Sequence, residues 1–291
     1  MRTSPVRHDG ARLMRELTLA QRFNSDQGQI AYDRFGDGPD VVLVHGTPFR
    51  GLIWRDVVDR LSERFRCHVL DLPGYGESDK YEGQEVRLRS FARVLTAFIV
   101  NQQLEKPVLI GHDFGAAAVL GAHLVEAVPV RAIAVVDGVV LSPWGTEYAR
   151  LVNQAPETFN ALPGYVHQAI LAAHIATAAE RPLSTDWKRA LIAPWMGPQG
   201  QAAYHRQIQQ FDFAYTDRLE TLYPAMDVPT RVFWGECDQW VPPAVGRRLV
   251  ELIPDAGLTL LPDAGHLAML DTPGLLAREL GQWLSEVHAS G

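Results

Sequence analysis

Six short apolar runs recur along the chain: Val41–Val44, His68–Leu72, Val108–Ile110, Ala132–Val136, Arg231–Trp234 and Leu258–Leu261. Each is rich in Val, Ile, Leu or Phe, and most stop at a Gly, Pro or Asp. Uninterrupted apolar runs of this length suit strands buried on both faces, whereas a half-exposed strand would alternate. Longer stretches with helical apolar spacing lie between them: Trp54–Arg64, Val86–Gln102, Ala116–Glu126, Ala244–Leu252 and Gly274–Val287. Strand and helix in alternation predict an α/β fold, a mostly parallel central sheet with helices on both faces. Leu17–Phe23 and Gln29–Arg34 are expected to pair as an antiparallel edge.

The alternation stops after Asp137 and resumes at Thr230. Between them the chain reads as helices broken by Pro156, Pro163, Pro182, Pro194 and Pro198. This predicts a core formed by residues 17–141 and 225–291 and an inserted helical cap over 142–224. Ligands in such sheets bind beyond the carboxyl ends of the strands. A cap there would enclose the site and exclude water. Residues 1–16 hold four arginines and no continuous apolar stretch. They are expected to be a poorly ordered leader rather than a secretory signal.

Composition narrows the function classes. The chain has 291 residues, 47% hydrophobic and 21% charged, which is ordinary for a globular protein. A net charge of −7 disfavours nucleic acid or an anionic membrane as the main partner. The expected partner is a small-molecule substrate. No apolar run reaches the ~18 residues of a membrane-spanning helix. Two cysteines, Cys67 and Cys237, make no disulfide framework and point to a reducing, cytoplasmic setting. There is no CxxC, Cys/His cluster, GxGxxG, P-loop or HExxH, so neither metal nor cofactor is expected.

The chemistry concentrates at Val108-Leu-Ile-Gly-His-Asp-Phe-Gly115, a strand running through a sharp turn into an Ala-rich helix. Gly111 and Gly115 flank Asp113 in the Gly-x-nucleophile-x-Gly spacing of a nucleophile elbow. The alternative is an ordinary helix N-cap. Asp238 and His266 follow, each just beyond a predicted strand, in the chain order nucleophile, acid, base. Asp137, which ends the strand before the cap, is the alternative acid.

Together these residues resemble the α/β-hydrolase superfamily, in the branch with an aspartate nucleophile that holds epoxide hydrolases and the haloalkane and haloacetate dehalogenases. The resemblance covers roughly residues 20–288. It extends to His45-Gly-Thr-Pro48, Asp71-Leu-Pro-Gly-Tyr-Gly-Glu-Ser78 and the Gly265-His266 loop. It implies that Asp113, Asp238 and His266 are catalytic and that the backbone N–H groups of Thr47 and Phe114 form the oxyanion hole. It also implies that His45, Gly46 and Pro48 shape that loop, with a cis peptide before Pro48.

An aspartate nucleophile changes the reaction. A carboxylate of ordinary pKa, ~3.9, is ionised at neutral pH and attacks without a base. On a saturated carbon bearing a leaving group it forms an alkyl ester, which water activated by His266 would then hydrolyse. The resemblance expects Trp after the nucleophile and Asn after His-Gly in haloalkane dehalogenases. Here those positions are Phe114 and Thr47, and no Arg stands in Phe114–Val119 to hold a haloacid carboxylate. Epoxide hydrolysis therefore leads at this stage, with carbon–halogen hydrolysis second. A non-hydrolytic binder, lyase or isomerase of the fold is the third reading. The segment from Gly197 to Arg206 resembles the epoxide-hydrolase cap segment ending Tyr-Arg, with His205 interposed after Tyr204. Candidates for meeting the leaving group or substrate are Tyr204, His205, Tyr148, Trp144 and Tyr165, with Trp187 and Trp195 as further indole donors. His167 and His174, seven apart, are read as pocket lining or surface.

Overall fold

The computed structural model describes residues 17–289. The expected leader lies outside them. Eight strands form one sheet: β1 (Gln21–Ser25), β2 (Gly28–Phe35), β3 (Asp40–Val44), β4 (Arg66–Leu70), β5 (Val108–Asp113), β6 (Ala132–Gly138), β7 (Thr230–Gly235) and β8 (Gly257–Leu261). Their spatial order is β1-β2-β4-β3-β5-β6-β7-β8. The β1–β2 and β2–β4 pairs are antiparallel, and the other five are parallel. Every residue of β5 and β6 is buried, as their unbroken apolar runs require.

The antiparallel edge forms, but β1 starts at Gln21 rather than Leu17. Register is set by the tight turn that pairs Ser25 with Gly28, where Gly28 adopts φ 92°. Leu19 still reaches the core, but from outside the strand.

Helices α1 (Arg55–Leu61), α2 (Leu88–Asn101) and α3 (Phe114–Leu124) follow β3, β4 and β5. The first nine residues of α3 are buried, because it packs against α2, β5 and β6 together. Its small residues allow that approach: a Cβ on Gly121 would lie 3.1 Å from Ala92 Cβ on α2, and 2.0 Å from the hydroxyl of Tyr215. Six helices, α4 (Glu147–Gln154), α5 (Pro156–Asn160), α6 (Gly164–Ala176), α7 (Thr185–Ile192), α8 (Gly197–Gln209) and α9 (Ala214–Leu222), fall between β6 and β7. The core then closes with α10 (Pro243–Leu252), α11 (Ala268–Asp271) and α12 (Pro273–Ala289). Among the described residues no helix is long and apolar enough to cross a membrane.

Burial of histidine sets the pH response of the fold. Desolvation lowers the pKa of His45, His68, His112, His167, His288, His174 and His205, the last two to about 4. The unfolded chain takes up protons at these residues below ~6.5, and the folded chain does not. Their contribution to stability is therefore present above that pH and lost as pH falls toward 4. His266 and Asp137 shift upward and oppose it, two groups against seven. The melting temperature should fall between pH 7 and pH 5. An unchanged or higher midpoint at pH 5, read by circular dichroism or calorimetry, would contradict this account.

Candidate active site

Asp113 is the last residue of β5 and stands immediately before α3, with φ 50° and ψ −116°. That conformation is sterically costly for a residue with a Cβ. Three glycines make room for it. A Cβ on Gly111 would lie 2.3 Å from the Gly115 carbonyl oxygen, and one on Gly115 would lie 2.3 Å from that of Val44. A Cβ on Gly46 would lie 2.2 Å from the Cβ of Asp113 itself. The carboxylate does not cap α3. The turn lifts it instead toward the loops beyond β3 and β8.

His266 meets it there. Its Nε2 is 3.5 Å from Asp113 Oδ2, and its Nδ1 is 2.9 Å from Asp238 Oδ2. A carboxylate only accepts, so Nδ1 carries a proton and Nε2 is the nitrogen that exchanges one. Asp238 is fixed by its other oxygen, which accepts from the backbone N–H groups of Trp240 and Val241 at 2.8 and 2.9 Å. Burial alone would lower the His266 pKa, but the charges and hydrogen bonds of Asp238 and Asp113 raise it well above the usual imidazole value. Asp137 does not take the place of Asp238. Its Oδ1 accepts from Gly235 N–H at 2.7 Å. Burial, reinforced by the charge of Asp238, pushes its pKa far up.

The loop after β3 supplies the other side. Thr47 N–H donates to Asp113 Oδ1 at 2.6 Å, and the Thr47–Pro48 peptide is cis. His45 Nε2 accepts from Leu72 N–H at 2.9 Å, so its Nδ1 proton donates to the Gly46 carbonyl, also at 2.9 Å. His45 thus shapes this loop.

A small cavity of about 40 Å³ opens over Asp113, lined by Thr47, Pro48, Phe114, Trp144, His174, Tyr204, Gln207, Ile208, Phe211 and Trp240 among others. Phe114, Trp144 and Phe211 form an edge-to-face cluster with ring centroids 4.8–5.2 Å apart. The same three rings line a wider cleft of about 550 Å³. Trp240 stacks on His266 and on His174, at 5.2 and 4.5 Å.

The remaining candidates divide. Tyr204 lines the cavity, and its hydroxyl is hydrogen-bonded to Tyr148. Tyr148 stands beside the cavity, against His174 and Phe159. Trp144 lines the cavity but donates its indole N–H to Thr216 Oγ1 at 3.0 Å. Trp195 donates to the Pro48 carbonyl at 2.8 Å. Trp187 stacks with Arg55 and lies away from the cavity. His205 is buried without a partner for either ring nitrogen, packed on His167 and Tyr204 and not lining the cavity. Tyr165 is 77% exposed and does not reach the site. It is the second residue of α6, and nothing in its surroundings distinguishes it in sequence from the inward tyrosines.

Several contributors are not among the sequence candidates. His112, kept neutral by burial, donates from Nε2 to the His266 carbonyl at 2.9 Å. Asp271 accepts from Gly265, Glu180 and Arg181 N–H groups, each at 2.9 Å, tying the His266 loop to the segment after α6. Gln207 sits where no motif marks it. Asp271 alone had a pointer, its place in the Leu-Asp-Thr-Pro stretch after the histidine loop.

Comparison with known proteins accords with this architecture. Over 267 residues the chain is 29% identical to haloalkane dehalogenase 2 of Mycobacterium tuberculosis, covering 88% of this chain and 91% of that protein. It is 25% identical over 269 residues to haloalkane dehalogenase of Mesorhizobium japonicum, covering 86% and 85%. A crystal structure of an α/β hydrolase fold protein from Burkholderia ambifaria superposes with a TM-score of 0.88 at 37% identity, covering 91% of this chain and 97% of that one. Residues 41–279 match the Alpha/beta hydrolase family, and the chain belongs to that family.

Proposed function

We propose that the protein hydrolyses a small apolar electrophile at saturated carbon through a covalent ester on Asp113, with halide as the leaving group. The observation that carries the ester is the position of Asp113, held at a strained elbow between Thr47 N–H and His266 Nε2. Asp113 Oδ2 attacks carbon, the carbon–halogen bond breaks, and the halide departs with the electron pair. His266 then takes a proton from water, whose oxygen adds to the ester carbonyl. The oxyanion is met by Thr47 N–H and by Phe114 N–H at the start of α3. Collapse breaks the bond from the carbonyl carbon to the alkyl oxygen, the alcohol takes the proton from His266, and the Asp113 carboxyl gives the remaining water proton to solvent and is a carboxylate again.

The electrostatics suit this order. Part of what raises the His266 pKa is the charge of Asp113. Esterification removes that charge, so the imidazole releases its proton more readily once there is an ester to hydrolyse. The six helices between β6 and β7 act as a cap that keeps bulk water from the ester.

Two things support halide over epoxide oxygen. The named relatives are haloalkane dehalogenases. An epoxide also needs a proton on its oxygen, and burial raises the pKa of Tyr204 far above the phenol range, which weakens it as an acid. Epoxide hydrolysis is the second reading, favoured by the position of Tyr204 on the cavity wall.

A panel of haloalkanes, haloacetates and epoxides should give free halide from short haloalkanes. Diol formation without halide release would reverse the order, and Tyr204→Phe should then slow ester formation by roughly 10²–10⁴.

The ester itself has a direct test. His266→Gln should react once and stall with substrate attached, an adduct visible by intact-protein mass spectrometry and mapped to residues 111–115. Asp113→Ala should form none. A single wild-type turnover in ¹⁸O-water should leave label in the Asp113 carboxylate. Label found only in the product would make Asp113 a base rather than a nucleophile.

A further inference from the structure

The indole N–H groups around the catalytic cavity are already committed. Trp144 donates to Thr216, Trp195 to Pro48 and Trp240 to Thr177. Phe114 has no donor in its side chain. A halide leaving Asp113-bound carbon therefore needs another group.

Gln207 lies near the end of α8, three residues after Tyr204, on the helix face that lines the cavity. Its side chain is almost fully buried, and its orientation is set by two hydroxyls. Thr47 Oγ1–H donates to Oε1 at 2.8 Å, and Tyr75 O–H lies 3.1 Å from the same atom. Tyr75 is wholly buried and stays protonated, since desolvation pushes its pKa up. The amide oxygen is occupied on that side, no hydrogen bond from Nε2 is seen among the described residues, and Nε2 is not one of the fully enclosed polar atoms. Thr47 holds both partners at once: its backbone N–H is on Asp113 Oδ1 and its hydroxyl on Gln207.

We propose that the Gln207 side-chain amide is the donor that receives the departing halide, with Tyr75 and Thr47 as the positioning residues that turn Nε2 toward Asp113. The proposal rests on the halide reading of the site and deepens it. The chemistry is consistent in itself. An amide N–H stabilises an anion by hydrogen bonding and gives up no proton at neutral pH. Halide leaves as a stable anion and needs none. In the displacement the Asp113 Oδ2–carbon bond forms, the carbon–halogen bond breaks with its pair going to halogen, and Nε2–H hydrogen-bonds the ion produced. Burial removes competing water and strengthens that contact.

The test reads anion binding separately from turnover. The purified full chain is titrated with sodium bromide at pH 8 and constant ionic strength, using tryptophan fluorescence, which Trp144 and Trp240 on the cavity wall should report. Wild type should show saturable quenching. Gln207→Glu keeps an oxygen for Tyr75 and Thr47 and removes the N–H donors. Gln207→Leu removes both functions without adding charge. Each should weaken bromide binding by about tenfold or more, the usual scale for one hydrogen bond to a charged group. On a His266→Gln background, Gln207→Glu should slow adduct formation from 1-bromobutane by a similar factor. A structural role alone would lower the melting temperature and leave the bromide constant of the folded protein unchanged. Absence of saturable quenching in wild type, or equal bromide affinity in wild type and both variants, overturns the assignment. The two readings fail differently. Bromide binding that depends on Gln207, with no halide released from any substrate, supports the anion site and defeats the proposed reaction. Halide release by wild type with unchanged rates in both variants does the reverse.

Discussion

Asp113 can occupy its strained backbone position only because three neighbouring residues lack a Cβ. The clash distances at Gly46, Gly111 and Gly115 are all near 2.2–2.3 Å, far inside van der Waals contact, so none of the three tolerates even alanine without movement of the backbone or of Asp113 itself. The strain is offset by the surrounding sheet. Val44 and Gly111 are paired between β3 and β5, and the register between β5 and β6 shifts at His112 and Asp113. The elbow is therefore a local fault in the parallel part of the sheet, fixed between β6, buried throughout, and β3, buried from Val41 onward. A side chain at such a fault is held in one direction by the whole core, with little conformational freedom left.

The second constraint is the low polarity around the imidazole. His266 is fully buried between two carboxylates, an arrangement that is costly unless every charge is paired and hydrogen-bonded. The pairing here is graded. Asp238 has both oxygens engaged, by His266 and by two backbone N–H groups. Asp113 has one oxygen on Thr47 N–H, and its other faces His266 at a distance longer than a good hydrogen bond. The tighter partner orients the ring, and the looser one is held less firmly by it. Asp137, one strand over, shows the opposite outcome of burial. With a single backbone donor and a carboxylate already nearby, it is pushed toward its neutral form.

The strands and the elbow were legible because their signals are local. Unbroken apolar runs mark strands buried on both faces, and glycines at fixed spacing mark a tight turn. Asp238 and His266 were legible because loops just beyond strand ends converge in this architecture. The choice between Asp137 and Asp238 was not, since both follow strands, and only the distance to His266 Nδ1 separates them. The wall of the cavity was least legible. Tyr165 and Tyr204 look alike in sequence, yet one is exposed and the other buried, because the face that α6 or α8 turns inward is set by packing against residues distant in the chain. Trp144 and Trp195 looked like free indole donors until their carbonyl and hydroxyl acceptors were visible. Gln207 gave no signal at all. A glutamine in a helix is commonplace, and its meaning comes from Tyr75 and Thr47, distant in sequence.

These long-range contacts explain why the helices between β6 and β7 cannot be treated as a passive cover. At one end, Asp271 binds the N–H groups of Glu180 and Arg181 together with that of Gly265, and Leu267 N–H reaches the Ala178 carbonyl. The loop carrying His266 is thereby tied to the segment after α6. At the other end, Gln207 on α8 is bonded to Thr47, whose N–H holds Asp113. Trp195 is bonded to the Pro48 carbonyl in the same loop. His266 and Asp113 are thus each fastened to the inserted helices by buried or part-buried hydrogen bonds, where such bonds are strong and their loss is expensive. A shift of α8 relative to α6 would move Asp113 and His266 relative to each other. The 3.5 Å separation between the two groups is consequently a property of the inserted helices as much as of the sheet beneath them.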